Sequence, residues 1–191
     1  MKWVAVSGYE EMSRMAAQRM FDVISEGLSR RRSVAIGLAT GNTMIRVYDL
    51  LAEKLNRAGL GLSGLLTFNL DEYVDNAGGN VAPGHPLSYR AYMNGNFFDK
   101  VDARLGFKRE NMLFPDSGNP AAYDAQILAA GGLDFQLLGI GFNGHIAFNE
   151  PGSSLGSTTR IKSLTSATRE ANARFFAHLD DVPHHVLTQG V

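Results

Sequence analysis

At 191 residues with 45% hydrophobic content, the chain can bury one sizeable core, and its simplest organisation is a single domain over 1–191. A net charge of −1 gives no electrostatic case for binding nucleic acid or an anionic membrane surface, and no apolar run approaches the length of a membrane span. Zero cysteines exclude disulfides, thiol nucleophiles and thiolate-bound metals, and the start MKWVAVSGYEE turns acidic too early for a signal peptide, so a cytoplasmic protein is expected.

In chain order, Trp3 to Ser7 reads as a short strand. A helix from about Tyr9 to Leu28 follows, with Met12, Met15, Ala16, Met20, Val23 and Ile24 on one face, read as core. Ser33 to Ala39 is a second strand and Met44 to Arg57 a second helix. Gly64 to Leu70 is a third strand, leading into a loop rich in Gly, Asn and Pro between Asp75 and Pro86. A helix over about Leu87 to Phe98, a strand at Asn111 to Phe114 and a helix over about Ala121 to Ala129 come next. Leu133 to Ile140 is a nearly continuous apolar run, which suits a strand buried on both faces of a parallel sheet. Ile161 to Thr165, a helix around Arg169 to Ala177 and a strand at Val186 to Thr188 complete the set. Strands alternating with helices imply parallel pairing and an α/β fold. The ending VLTQGV, where a helix would be expected after a strand, suggests a chain cut short.

Three constellations carry chemistry. GLATGNT, from Gly37 to Thr43, lies between a strand and a helix, where Thr40, Gly41, Asn42 and Thr43 would present N–H groups and hydroxyls to an anion. An ordinary capped turn is the alternative. FNLDEY sets Asp71 and Glu72 side by side at a strand end. Neighbouring strand residues face opposite ways, so one is a candidate base and the other structural or solvated, unless both simply decorate a turn.

The third constellation follows the apolar run. Gly139, Gly141 and Gly144 let the backbone turn and approach a ligand, and His145 and Glu150 can move protons at the carboxyl end of a strand. These glycines also satisfy G-x-G-x-x-G. That dinucleotide fingerprint should open a helix, however, and Pro151 and Gly152 interrupt it. A metal would need distant ligands, since there is no H-x-H or H-E-x-x-H. His184 and His185, adjacent on a strand, are read as ordinary.

Together GLATGNT, FNLDEYV, HPLSYRAYM, LLGIGFNGHIAFNEPGSS, TRIKSLT and ANARFF resemble the glucosamine-6-phosphate deaminase (isomerase) family, in the family's own order. The resemblance implies a Rossmann-like, mostly parallel sheet with helices on both faces. It also implies conversion of glucosamine 6-phosphate and water to fructose 6-phosphate and ammonia in amino-sugar catabolism, by an isomerising deaminase of hydrolase class using no redox cofactor or metal. Asp71 would move a proton between C2 and C1, and His145 would open the sugar ring, with Asn143 and Glu150 holding and tuning the imidazole. Phosphate would lie against Thr40 to Thr43, gripped by Arg174. An activator in allosteric members would meet Ser153, Arg160 and Lys162.

The resemblance also marks departures. Asn143 stands where some members carry aspartate, and Asn42 and Met44 where Ser and Pro are usual. The family continues past residue 191 with a carboxyl-terminal part, including a phosphate-contacting lysine, that this chain apparently lacks. The implied partner is a small sugar phosphate, with a homo-oligomer possible and neither nucleic acid nor membrane involved. Two alternatives stand beside this reading, a phosphosugar lactonase of the same fold and a non-catalytic sugar-phosphate sensor. The sensor would have little need for Asp71, His145 and Glu150 together.

Overall fold

The computed structural model describes residues 2–31, 33–141, 143–173 and 176–190. Its centre is β1 (Val34–Leu38), whose sequence VAIGL has no group needing water and is buried throughout. On one side β1 pairs in parallel with β2 (Leu65–Asn69), which pairs with β4 (Met112–Leu113); on the other it pairs with β5 (Phe135–Gln136), giving the order β4-β2-β1-β5. Alternation along the strands sends side chains to two cores. Val34, Ile36 and Leu65 join α1 (Tyr9–Arg30) and α2 (Asn42–Ala58) through Met20, Ile24, Val47, Leu51 and Leu55. Ala35 and Phe68 face α4 (Pro120–Ala129) through Tyr123 and Ile127. Each large apolar side chain buried this way contributes about 1.5–3 kcal/mol.

The helices begin and end for local reasons. Asn119 caps α4, accepting from the Ala122 N–H, with Pro120 at the first helical position. α2 stops at Gly59, whose φ of 61° is costly for a residue with a β-carbon. α3 (Tyr89–Asn96) starts on Ser88, which accepts from Ala91 N–H.

A second sheet was not foreseen from sequence. β3 (Asp71–Val74), β7 (His185–Thr188) and β6 (Arg160–Ser163) pair antiparallel in the order β3-β7-β6. Leu70 joins the sheets: its N–H donates to Leu38 of the first, and its carbonyl accepts from Gln189 just past β7. The expectation of parallel pairing therefore holds for the four strands of the first sheet alone. Alternation of strands and helices cannot report strands that return from a distance to pair with a neighbour of the sheet.

Other expectations are corrected. Trp3 to Ser7 form no strand, and Trp3 is 85% exposed, so a short apolar run did not suffice without a pairing edge. The buried stripe of α1 is Ser13, Ala17, Met20, Ile24 and Gly27; Met15 is exposed and Met12 lines a cleft instead of the core. The run Leu133 to Ile140 pairs only at Phe135 and Gln136, and Ile140 is 77% exposed. The last helix, α5 (Ser166–Asn172), begins earlier than expected, on a Thr165 cap. No helix among the described residues is long and apolar enough to cross a membrane.

Candidate active site

A cavity of about 650 Å³ opens beyond the carboxyl ends of β1 and β5. Its polar lining comes from three places: Thr40, Gly41 and Thr43 after β1, Asp71 at the start of β3 with Tyr89 of α3, and Gly141 and His145 after β5. Leu70, the single residue between β2 and β3, forces the chain to change sheets there, and this turns Asp71 toward the cavity.

Asp71 and Glu72 occupy opposite environments, as strand alternation requires. Asp71 is buried at 4% exposure, and its Oδ1 has no hydrogen-bond partner among the described residues. Burial first, and the neighbouring Glu72 charge second, push its carboxyl up to about 8. Glu72, equally buried, turns to the first turn of α3. Its Oε1 accepts from the N–H groups of Tyr89 at 2.8 Å and Tyr73 at 3.0 Å, and its Oε2 from that of Arg90 at 3.0 Å. Burial raises the Glu72 pKa, while these three N–H groups oppose the shift. A carboxylate at a helix amino terminus with three donors is a structural clasp. The structure thus separates the two acids that strand alternation alone left equivalent.

The loop after β1 leads directly into α2. Gly41 adopts φ 122° and its carbonyl accepts from Met44 N–H, so the first turn of a 17-residue helix is presented with no side-chain cap. Thr40, Gly41 and Thr43 line the cavity; Asn42 does not, and its carbonyl accepts from the Tyr9 hydroxyl at 3.2 Å. The place expected for Asn42 is therefore corrected: as the first residue of α2 it points its peptide toward α1.

In the third loop, Gly144 turns at φ 91° and no helix follows, in keeping with rejection of the dinucleotide fingerprint. Gly141 N–H donates to the His145 carbonyl at 2.8 Å. Asn143 and Glu150 come together, Nδ2 to Oε2 at 2.7 Å, and Asn143 Oδ1 accepts from the His145 backbone N–H at 3.2 Å. Expected to hold the imidazole, these two instead hold the backbone that carries it; among the described residues the ring itself makes no hydrogen bond. Ala147 and Phe148 close the cavity beside it.

Ser153, Arg160 and Lys162 lie together outside the cavity. Lys162 Nζ donates to Ser153 Oγ at 3.3 Å, and Arg160 donates to Asn149 Oδ1 at 2.7 Å and to the Thr158 carbonyl at 3.0 Å. Arg174 lies outside the described residues. Sequence reasoning missed Tyr89, Met44 and Phe148 as cleft residues; HPLSYRAYM was noticed, but nothing in it distinguishes a cleft tyrosine from a core one. No group of three or more His, Asp or Glu among the described residues could hold a metal ion.

Residues 7–174 match the family model for glucosamine-6-phosphate isomerases/6-phosphogluconolactonase. The chain belongs to that family. A glucosamine-6-phosphate deaminase of Arthrobacter sp. (strain FB24) is 48% identical over all of this chain and 71% of its own length, and one of Clostridium perfringens (strain SM101 / Type A) is 41% identical over all of this chain and 76% of its own. Among solved structures, a monomeric glucosamine-6-phosphate deaminase superimposes with a TM-score of 0.86 at 37% identity, covering 100% of this chain and 76% of that one. A 6-phosphogluconolactonase from Thermotoga maritima gives 0.69 at 16% identity over 98% and 76%, a likeness of fold. Family membership and the α/β architecture with a mostly parallel principal sheet agree. The relatives' names support an isomerising deaminase; the hydrolase class expected from sequence finds no support in them.

Proposed function

We propose that this chain deaminates glucosamine 6-phosphate to fructose 6-phosphate and ammonia by aldose–ketose isomerisation. The observation that carries the reading is that the Asp71 carboxyl, the His145 imidazole and the uncapped amino terminus of α2 line one cavity. A phosphate at that helix end leaves the reacting carbons of a hexose to reach Asp71 and His145. His145 takes the anomeric hydroxyl proton and returns one to the ring oxygen, opening the ring. Asp71, as carboxylate, removes the C2 proton of the open aldose; the electron pair forms the C1–C2 double bond while the C1 carbonyl π pair moves to O1, which takes a proton released by the substrate ammonium, and return of the abstracted proton to C1 leaves a protonated ketimine at C2. Water adds to that carbon and ammonia leaves.

A carboxyl held at about 8 is mostly protonated at neutral pH, which would disarm a base. The ammonium of the substrate, brought beside Asp71, supplies the opposite charge that favours its ionised form. In this reading binding the correct substrate arms the base. Asn143 and Glu150 keep the loop backbone in place for His145. Arg174 is proposed as a guanidinium for the phosphate, and Ser153, Arg160 and Lys162 as an effector site, on the strength of the family motif. The reaction is proposed to run in the cytoplasm on a sugar phosphate alone, in a monomer or a homo-oligomer.

The test is ammonia release from glucosamine 6-phosphate in a coupled assay. Asp71→Asn should reduce kcat about 10²–10⁴-fold with substrate binding retained. Undiminished turnover in that variant, or hydrolysis of 6-phosphogluconolactone without ammonia release by the wild type, would overturn the reading.

A further inference from the structure

We infer that Asn149 is a positioning residue that fastens the turn carrying His145 and Glu150 to the antiparallel sheet and ties that turn to Arg160. The catalytic part of the inference rests on the function proposed above; the fastening itself does not.

The turn is a tight one. Ile146 and Asn149 form an antiparallel bridge, Ile146 N–H donating to the Asn149 carbonyl at 3.2 Å and Asn149 N–H to that of Ile146 at 2.9 Å. Between them Ala147 is held at φ 53°, a left-handed conformation that a β-carbon disfavours. A turn so strained keeps its shape only if its surroundings hold it. The most buried polar anchor within it is Asn149, 5% exposed. Its Nδ2 donates to the Gln189 carbonyl at 2.9 Å, next to the end of β7, and its Oδ1 accepts from Arg160 Nη2 at 2.7 Å, at the start of β6. One amide therefore spends its donor side on one strand end and its acceptor side on the other. A second tie, Phe148 N–H to Thr188 Oγ1 at 3.2 Å, is longer.

The register explains why this amide can couple distant groups. Asp71 and Arg160 both pair with Thr188, one on each side of β7, so all three side chains leave the same face of the sheet. The turn lies across that row. A change at Arg160 reaches it through a single hydrogen bond to a residue adjacent to Glu150.

The experiment combines amide hydrogen exchange over residues 144–150 with steady-state ammonia release, in wild type, Asn149→Ala, Asn149→Asp, Arg160→Ala and the Asn149→Ala/Arg160→Ala double variant. Asn149→Ala is expected to exchange the Ile146 and Phe148 amides at least tenfold faster and to lower kcat about tenfold or more, with KM within about threefold. Asn149→Asp keeps an acceptor for Arg160 but sets an oxygen against the Gln189 carbonyl, so it should fall between. The double variant should lose no more kcat than the worse single variant, because both remove the same bond. Unchanged exchange in Asn149→Ala overturns the fastening, whatever the activity. Faster exchange with unchanged kcat overturns the catalytic role, and multiplying losses in the double variant overturn the tie to Arg160. A wild type that releases no ammonia refutes the proposed function while the exchange data still decide the fastening.

Discussion

The imidazole of His145 lies against the α-carbon of Gly141, so close that a β-carbon there would run into the ring. Of the two glycines that precede this histidine in its loop, only Gly144 is required for its backbone angle; Gly141 is required for the space it leaves. The ring's place in the cleft is thus set by an absent side chain four residues earlier.

Gly141→Ala should therefore displace the ring and impair the step assigned to His145. We expect kcat to fall about 10–10²-fold while the melting temperature changes little, since the loop is at the surface. Steady-state kinetics beside a thermal melt checks this; an unaltered kcat would mean that the ring's contact with Gly141 has no bearing on turnover.

Asp71 should make the protein less stable as pH rises. Its folded-state pKa of about 8 exceeds the unfolded value near 3.9, so the native state binds the extra proton between the two. The stability tied to that proton is complete below about pH 4 and is lost as pH climbs toward 8, at up to about 1.4 kcal/mol per pH unit. Asp71→Asn removes the titration, so denaturant melts should show the variant gaining on the wild type from pH 5 to pH 8. A constant gap between them would contradict the shift.

Glu72 should matter to folding more than to chemistry. Glu72→Ala leaves two N–H donors at the start of α3, those of Tyr89 and Arg90, without their acceptor, at a cost of about 2–4 kcal/mol. Glu72→Gln retains one acceptor oxygen but turns an NH₂ toward a donor, and should lose less. Urea denaturation of both variants measures this, and a loss below about 0.5 kcal/mol in the alanine variant would deny the clasp.

Ala147→Gly should stabilise the protein modestly. Relief of the left-handed strain is worth about 1–2 kcal/mol, offset by the greater freedom that glycine gives the unfolded chain, about 0.5–1 kcal/mol. A net gain of about 0.5–1 kcal/mol is expected in denaturant melts. Activity should fall if the strain serves to hold His145, which kinetics on the same variant will reveal.

Apart from Tyr89 of α3, the polar groups of the cleft were legible because each sits where a strand ends in residues that cannot be core: Thr and Gly after β1, paired acids after β2, Gly and His after β5. Strand alternation even required that Asp71 and Glu72 part company. It could not say which faced the cavity, because that depends on α3 arriving from 17 residues further on to claim Glu72. Ile140 and Met15 failed as buried residues, and Trp3 as part of a strand, for a related reason. Apolar periodicity records what a side chain would gain from burial, and carries no information on whether a partner surface is there.

By itself, the sequence determined the buried strands of the first sheet, the helices that flank them and the chemical groups available to the cleft, all properties of near neighbours along the chain. Only the tertiary structure decided the antiparallel sheet that sets Asp71, Thr188 and Arg160 in one row, and the hydrogen bonds by which Asn149 gathers β6, β7 and the His145 turn. Those relations join residues up to 117 positions apart, from Asp71 to Thr188, and hydrogen bonding at that separation leaves no periodic trace in the chain.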